Sequence, residues 1–368
     1  METFQSYLAS LDLDYLSQMT KTRDLKRVEE ALAARRLSPE DLAVLLSPAA
    51  MGYLEDMALR SRSGTLKHFG KAVHLYTPLY LSNYCVNHCA YCGYSPTNAI
   101  RRHMLTMEDI EAEAKAIAAT GLRHILVLTG ESRVHTSVDY ILQAVTILKK
   151  YFDSISIEIY PLEEEEYRAV IEAGVDGLTI YQETYDPDRY DQVHIAGPKK
   201  DYAYRLAAPE RAARAGMRSV NVGALLGLSD YRMDALLTGL HAAFLQKNHP
   251  ELELGVSFPR LRPTAGHFEP QSLVDDPTFV QVILAIRNFI PEAGTTLSTR
   301  ESADLRNNLI PLGITKLSAG VTTAVGGHDQ EAEGDAQFEI ADGRSVEDMA
   351  NYLRAIGYQP VFKDWMAF

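Results

Sequence analysis

Cysteine is scarce in this 368-residue chain: only Cys85, Cys89 and Cys92 occur, all within eight positions. An odd number so tightly spaced builds no disulfide framework and reads as metal ligands in a reducing compartment. Long apolar runs are missing as well. The best stretches, residues 125–128 and 282–286, are core-sized and far short of the about 20 residues a spanning helix needs. Positive charge is in deficit, with 36 Lys plus Arg against 49 Asp plus Glu and a net charge of −13. That field repels a phosphate backbone and an anionic membrane surface, so neither nucleic acid nor a membrane is expected as a partner. The first 13 residues, with Glu2 and Asp12, lack the basic start and continuous apolar stretch of a signal peptide, and a cytoplasmic location is expected.

What is present is the composition of a globular protein, 46% hydrophobic and 23% charged, and it excludes disorder and collagen. Residues 1–70 read as a helical extension, because Leu25, Val28 and Leu32, then Leu42, Leu45 and Leu46, recur at three- and four-residue steps. Ser38-Pro39-Glu40-Asp41 marks one helix start. From residue 71 to 368 short apolar runs alternate with amphipathic stretches. Strands are expected at 74–81, 124–129, 154–159, 177–182, 219–225, 254–258, 296–299 and 316–319. Helices are expected at 106–120, 138–152, 163–173, 209–215, 233–247, 279–289, 305–312 and 346–356. Eight βα units point to an α/β fold, a (βα)8 TIM-type barrel with its chemistry at the C-terminal ends of the strands. An open doubly wound sheet is the alternative, but no Gly-x-Gly-x-x-Gly follows the first strand. The polar stretch from Gly326 to Gly343 is expected to be a surface loop.

The first strand runs into Cys85-x3-Cys89-x2-Cys92. Three thiolates hold three corners of a [4Fe-4S] cubane and leave one iron open. A zinc site with His88 as fourth ligand competes, although His88 adjoins Cys89 and is poorly placed to share its metal. This spacing, with Tyr91 immediately before the third cysteine, resembles the radical S-adenosylmethionine (SAM) superfamily. The resemblance implies that the open iron chelates the methionine portion of SAM. One electron from the cluster then cleaves a carbon–sulfur bond, giving methionine and a 5'-deoxyadenosyl radical.

Leu128-Thr129-Gly130-Glu131 resembles the family's glycine-glycine-glutamate motif, so Gly130 and Glu131 are assigned to SAM. Glu158 alternates with Ile157 and Ile159, and an acid aimed into a barrel mouth is costly unless it binds something. By resemblance it contacts SAM; an outward salt bridge is the plain alternative. Arg205, eleven residues before Gly216, stands where related enzymes place an arginine on the SAM carboxylate, a role its two-pronged guanidinium suits. Gly223 and Gly227 are expected where backbone approaches a flat adenine, although strand-end glycines also simply turn.

The stretches 46–50, 78–82, 175–185, 256–263, 297–302 and 360–365 resemble the aromatic amino acid lyases of this superfamily, above all the tyrosine lyases of thiamin biosynthesis, the 2-iminoacetate synthases. The resemblance implies cleavage of the Cα–Cβ bond of L-tyrosine to 2-iminoacetate and p-cresol. It also implies as partners a thiazole synthase subunit and a flavodoxin- or ferredoxin-type reductant. Such an enzyme must fix the amino acid's carboxylate, and Arg300 at a strand end supplies the cation; pairing with Glu301 or Asp304 is the competing reading. By resemblance Ser318 assists and Tyr80 lines the amino group. A tryptophan lyase and a metal-stabilised scaffold without activity are the other functions considered.

Overall fold

The computed structural model describes residues 2–363 apart from 265–267, 331 and 333. Five α-helices precede the first strand, Phe4–Ala9, Leu13–Met19, Leu25–Ala33, Pro39–Leu45 and Leu54–His68. Each start has a local cause. Ser38 caps the fourth by accepting from Asp41 N, Asp41 returns the bond to Ser38, and Pro39 occupies the first turn. The extension is locked to the rest through buried groups. Gln281 Nε2 donates to Leu45 O and Ser47 O at 2.9 and 2.7 Å, and the Phe4 ring stacks on His241 with centroids 4.0 Å apart.

Eight parallel strands then close a barrel: β1 Ala72–Ser82, β2 His124–Thr129, β3 Ser154–Glu158, β4 Gly177–Glu183, β5 Ser219–Ala224, β6 Glu253–Ser257, β7 Gly294–Leu297 and β8 Lys316–Ser318. Each pairs with the next, and β8 closes on β1 with Tyr76 opposite Ser318. The expected (βα)8 barrel is the fold found, and helices such as Met107–Ala119, Val138–Leu148 and Tyr231–Asn248 surround it. A short strand β9, Gln359–Val361, adds to the start of β1. The end of the 360–365 stretch, Asp364 and Trp365, lies outside the described residues.

Three expectations need correction. The seventh strand begins and ends two residues early, because Thr299 N leaves the ladder to donate to Ser318 Oγ at 3.1 Å. Two short helices, Pro187–Val193 and Tyr202–Leu206, and an antiparallel pair, His88–Cys89 with His194–Ala196, were not anticipated. The stretch from Gly326 to Gly343 is no plain surface loop. Buried Glu113 accepts from the backbone N–H groups of Gly327, His328 and Asp329 at 3.2, 2.9 and 3.0 Å. Beyond that anchor the chain crosses the barrel mouth, where Gln337 and Phe338 line the cavity described below.

The barrel axis is not packed with branched side chains as such cores usually are. Toward the N-terminal ends of the strands small and polar residues, among them Ser156, Thr179, Asn221 and Gly255, surround a cavity of about 130 Å³. Tyr181 lines both this lower cavity and a second one at the opposite mouth.

Candidate active site

Cys85, Cys89 and Cys92 lie on the chain leaving β1, and hydrogen bonds tie that loop down. Val86 N donates to Glu131 O at 2.8 Å and Ala90 N to Val193 O at 2.9 Å. The Arg102 guanidinium bridges the carbonyls of Asn83, Tyr94 and Ser95 at 2.6, 2.8 and 2.7 Å. Asn87 donates from Nδ2 to Glu131 Oε2 at 2.6 Å and accepts from Lys199 N at 2.9 Å. Gly130 is the seat of the loop: a Cβ there would fall 2.3 Å from Tyr84 O. The glycine is thus required by the close approach of backbone, whatever else it contacts.

Burial pushes the Cys89 thiol up to about 12, opposed by Lys199 and reinforced by Cys92 and Cys85. Burial and the neighbouring Cys85 raise Cys92 as well. Three sulfurs that repel one another as thiolates in a poorly solvated place call for positive charge, which iron supplies. Among the described residues no three His, Cys, Asp or Glu side chains meet as ligands of a single ion. A cubane asks for a wider spacing, since each thiolate binds a different iron, so the donor set fits the cluster better than zinc.

Tyr91 is anchored by a residue that sequence reasoning missed. Its hydroxyl lies 2.8 Å from His194 Nε2, while His194 Nδ1 lies 2.8 Å from Tyr190 O. Burial lowers His194 to about 3, so the ring is neutral, and these partners assign the proton to Nδ1.

Above the cysteines a cavity of about 90 Å³ is lined by Tyr91, Cys92, Glu158 and Tyr181, and also by Glu183, Lys199, Arg300, Gln337 and Phe338. Glu158 faces the mouth as its alternation requires. Burial, then Glu183, raise its carboxyl to about 7 against the pull of Arg300, Arg205 and Lys199. Glu183, missed from sequence, is the one non-glycine residue at positive φ among the described residues, at 74°. Backbone strain of that kind persists where the surroundings over-determine it. Here Lys199 Nζ sits 2.5 Å from Glu183 Oε1 and an Arg205 nitrogen 3.5 Å away. Burial pushes the Glu183 carboxyl up, and the two cations more than offset this, holding it below its ordinary value. Arg205 also donates from Nε to Tyr181 O at 2.7 Å, so its fork is partly engaged within the protein.

Arg300 is half-buried, and its partial desolvation lowers its pKa; its guanidinium lies 3.5 Å over the Phe338 ring. Among the described residues no carboxylate lies within ion-pair distance of it. Glu301, the competing partner, is taken instead by Arg260 and Arg262. A half-buried cation facing a cavity with no carboxylate in ion-pair contact is the arrangement that receives an anion.

Other expected residues stand back from the cavity. Tyr80 donates its hydroxyl to Gln337 Oε1 at 3.0 Å, so its polar end meets the cavity wall at that side chain. Ser318 Oγ is engaged by Thr299 N, one layer below. At Gly223 a Cβ would fall 2.2 Å from Ser257 O and 2.8 Å from the Tyr181 ring, so packing between strands demands that glycine. Gly227, at φ 113°, turns the chain beside Leu261.

Residues 79–237 match the Radical SAM superfamily, and residues 257–359 match the Biotin and Thiamin Synthesis associated domain. The chain is 41% identical to the 2-iminoacetate synthase of Escherichia coli (strain K12), over 100% of this chain and 98% of that relative. The chain belongs to the 2-iminoacetate synthase family. The Salmonella typhimurium 2-iminoacetate synthase is equally similar, 41% identical over 99% of this chain and 97% of that relative. Among solved structures the chain superposes on HydG, a maturase of the [FeFe]-hydrogenase, with a TM-score of 0.88 at 32% identity, covering 95% of this chain and 79% of that one. A second HydG structure, from Carboxydothermus hydrogenoformans, gives 0.83 at 28% identity, over 98% of this chain and 82% of that one. As in other members of the superfamily, the cofactors are a [4Fe-4S] cluster and SAM.

Proposed function

We propose that the chain is a radical SAM carbon–carbon lyase that cleaves the Cα–Cβ bond of L-tyrosine to 2-iminoacetate and p-cresol, feeding the thiazole moiety of thiamin. The observation that carries this reading is Arg300, half-buried at the cavity with no carboxylate in ion-pair contact among the described residues. Its fork takes the substrate carboxylate through two parallel hydrogen bonds, and the Phe338 face keeps it flat. Tyr80, through its hydroxyl, lines the amino group, and Ser318 supports that side of the barrel. Cys85, Cys89 and Cys92 hold the cluster; Gly130, Glu131, Glu158, Arg205, Gly223 and Tyr91 surround SAM. When bound, the two cofactors supply the radical that initiates bond cleavage. The protein's part is to orient the amino acid, shield it beneath Gln337 and Phe338, and hold a proton on the Glu158 carboxyl, poised near neutrality.

A thiazole synthase subunit that consumes the short-lived imine, and a flavodoxin- or ferredoxin-type reductant, are the partners, in the cytoplasm. Among the described residues no single helix is long and apolar enough to cross a membrane. The test is anaerobic reconstitution with iron and sulfide, then reaction with SAM, dithionite and either tyrosine or tryptophan. p-Cresol from tyrosine is the expected product. 5'-Deoxyadenosine without p-cresol, or turnover of tryptophan alone, would overturn the substrate assignment.

A further inference from the structure

Gln337 joins two parts of the site that the reaction scheme treats separately. Its Oε1 accepts from the Tyr80 hydroxyl at 3.0 Å, and its Nε2 lies 3.9 Å from Cys92 Sγ. Only the amide nitrogen can donate to sulfur, so these partners settle which end is which. The side chain is held in place. Gln337 N donates to Thr323 O at 3.0 Å, Thr323 Oγ1 donates to Phe338 O at 2.7 Å, and the Tyr94 hydroxyl donates to Thr323 O at 3.0 Å. Gly93, beside Cys92, leaves room for this crossing: a Cβ there would fall 2.4 Å from Gln337 O.

We propose that Gln337 is a positioning residue that donates an N–H···S hydrogen bond to the Cys92 thiolate and relays the state of Tyr80 to the cluster. One-electron reduction, from the 2+ to the 1+ state with dithionite as donor, places added negative charge partly on the thiolate sulfurs. A donor to such a sulfur stabilises the reduced form and raises the reduction potential. The bond from Tyr80 to Oε1 polarises the amide and strengthens its N–H donor. A substrate amino group that engages the Tyr80 hydroxyl therefore changes the strength or direction of the bond to Cys92. Occupancy of the substrate pocket is thereby felt at the cluster before any chemistry occurs. The inference rests on the cluster assignment made above.

Redox titration followed by electron paramagnetic resonance on the anaerobically reconstituted full chain tests it. Gln337→Leu should shift the midpoint to more negative potential at unchanged iron and sulfide content. Gln337→Asn, which keeps the amide but shortens its reach, should shift it the same way with little risk to folding. Tyr80→Phe should give a smaller shift of the same sign. Adding tyrosine without SAM should move the wild-type midpoint and leave Gln337→Leu unmoved. A fully loaded cluster whose midpoint is the same in wild type, Gln337→Leu and Gln337→Asn overturns the hydrogen bond, and a wild-type midpoint indifferent to tyrosine overturns the relay. Failure of the wild type to assemble a cluster would instead overturn the cofactor reading beneath it.

Discussion

The two ends of the barrel axis differ in a way that volume alone would misjudge. The lower cavity is the larger, about 130 Å³ against about 90 Å³ at the upper mouth. Its charged and ionisable groups are nevertheless met by neighbours in several places: Glu253 pairs with Arg218 at 2.5 Å, His124 Nδ1 lies 2.8 Å from Ser154 Oγ, and Lys316 lies over the Tyr76 ring, while the neutral amide oxygen of Asn221 is left without a partner. The upper cavity holds Arg300, which among the described residues has no carboxylate in ion-pair contact, a carboxyl near neutrality at Glu158, strained backbone at Glu183 and a cysteine wall. A site is marked by charge the fold leaves uncompensated, since burying such charge is costly unless a ligand completes it.

That contrast can be broken by mutation. The largest effect is expected from Cys92→Ala, which removes one corner of the cubane: iron and sulfide content and 5'-deoxyadenosine formation should both be lost. Retention of both would remove the upper mouth's claim. Next comes Glu158→Gln. The folded carboxyl titrates near 7 against an ordinary 4.5, so the stability tied to its protonated form is complete below 4.5 and lost as pH rises through 7. In the SAM-free protein the variant should match wild type near pH 5 and exceed it at pH 8 by about 2 kcal/mol in urea unfolding, a figure reduced for partial solvent screening. Parallel stability curves at both pH values would show that Glu158 is not held in that state. The smallest effect is expected at the other end: Ser156→Ala, lining the lower cavity, should leave tyrosine KM within about twofold and stability within about 0.5 kcal/mol. A large rise in KM would mean that the two cavities do not divide the work as described.

Much of the upper mouth was legible because its residues sit on strands and at their ends, where period-two alternation and cysteine spacing carry direction. Glu158 is the clearest case, since its orientation followed from flanking isoleucines. Residues contributed by segments without periodicity were not legible. Lys199 lies on a single 3-10 turn, and His194 on a three-residue strand paired with the cysteine loop. Gln337 and Phe338 belong to a polar stretch whose local composition says loop; long-range bonds, to Glu113 at its start and from Gln337 N to Thr323 O further on, bring it to the mouth. Gly223 shows a demand the sequence did not display. Glycine at a strand end was read as room for a ligand, and the close approach of Ser257 and Tyr181 requires it as well.

The central claim is that Arg300 reads the substrate's carboxylate. It is tested most directly by comparing wild type and Arg300→Lys, each reconstituted with cluster and SAM, on tyrosine and on tyrosinamide, which lacks the anion. Losing the bidentate geometry should reduce kcat/KM for tyrosine by roughly ten- to a hundredfold, with cluster content unchanged, and should barely alter the weak turnover of the amide. An equal loss on both substrates would contradict the account, because Arg300 would then be supporting the site without binding the carboxylate.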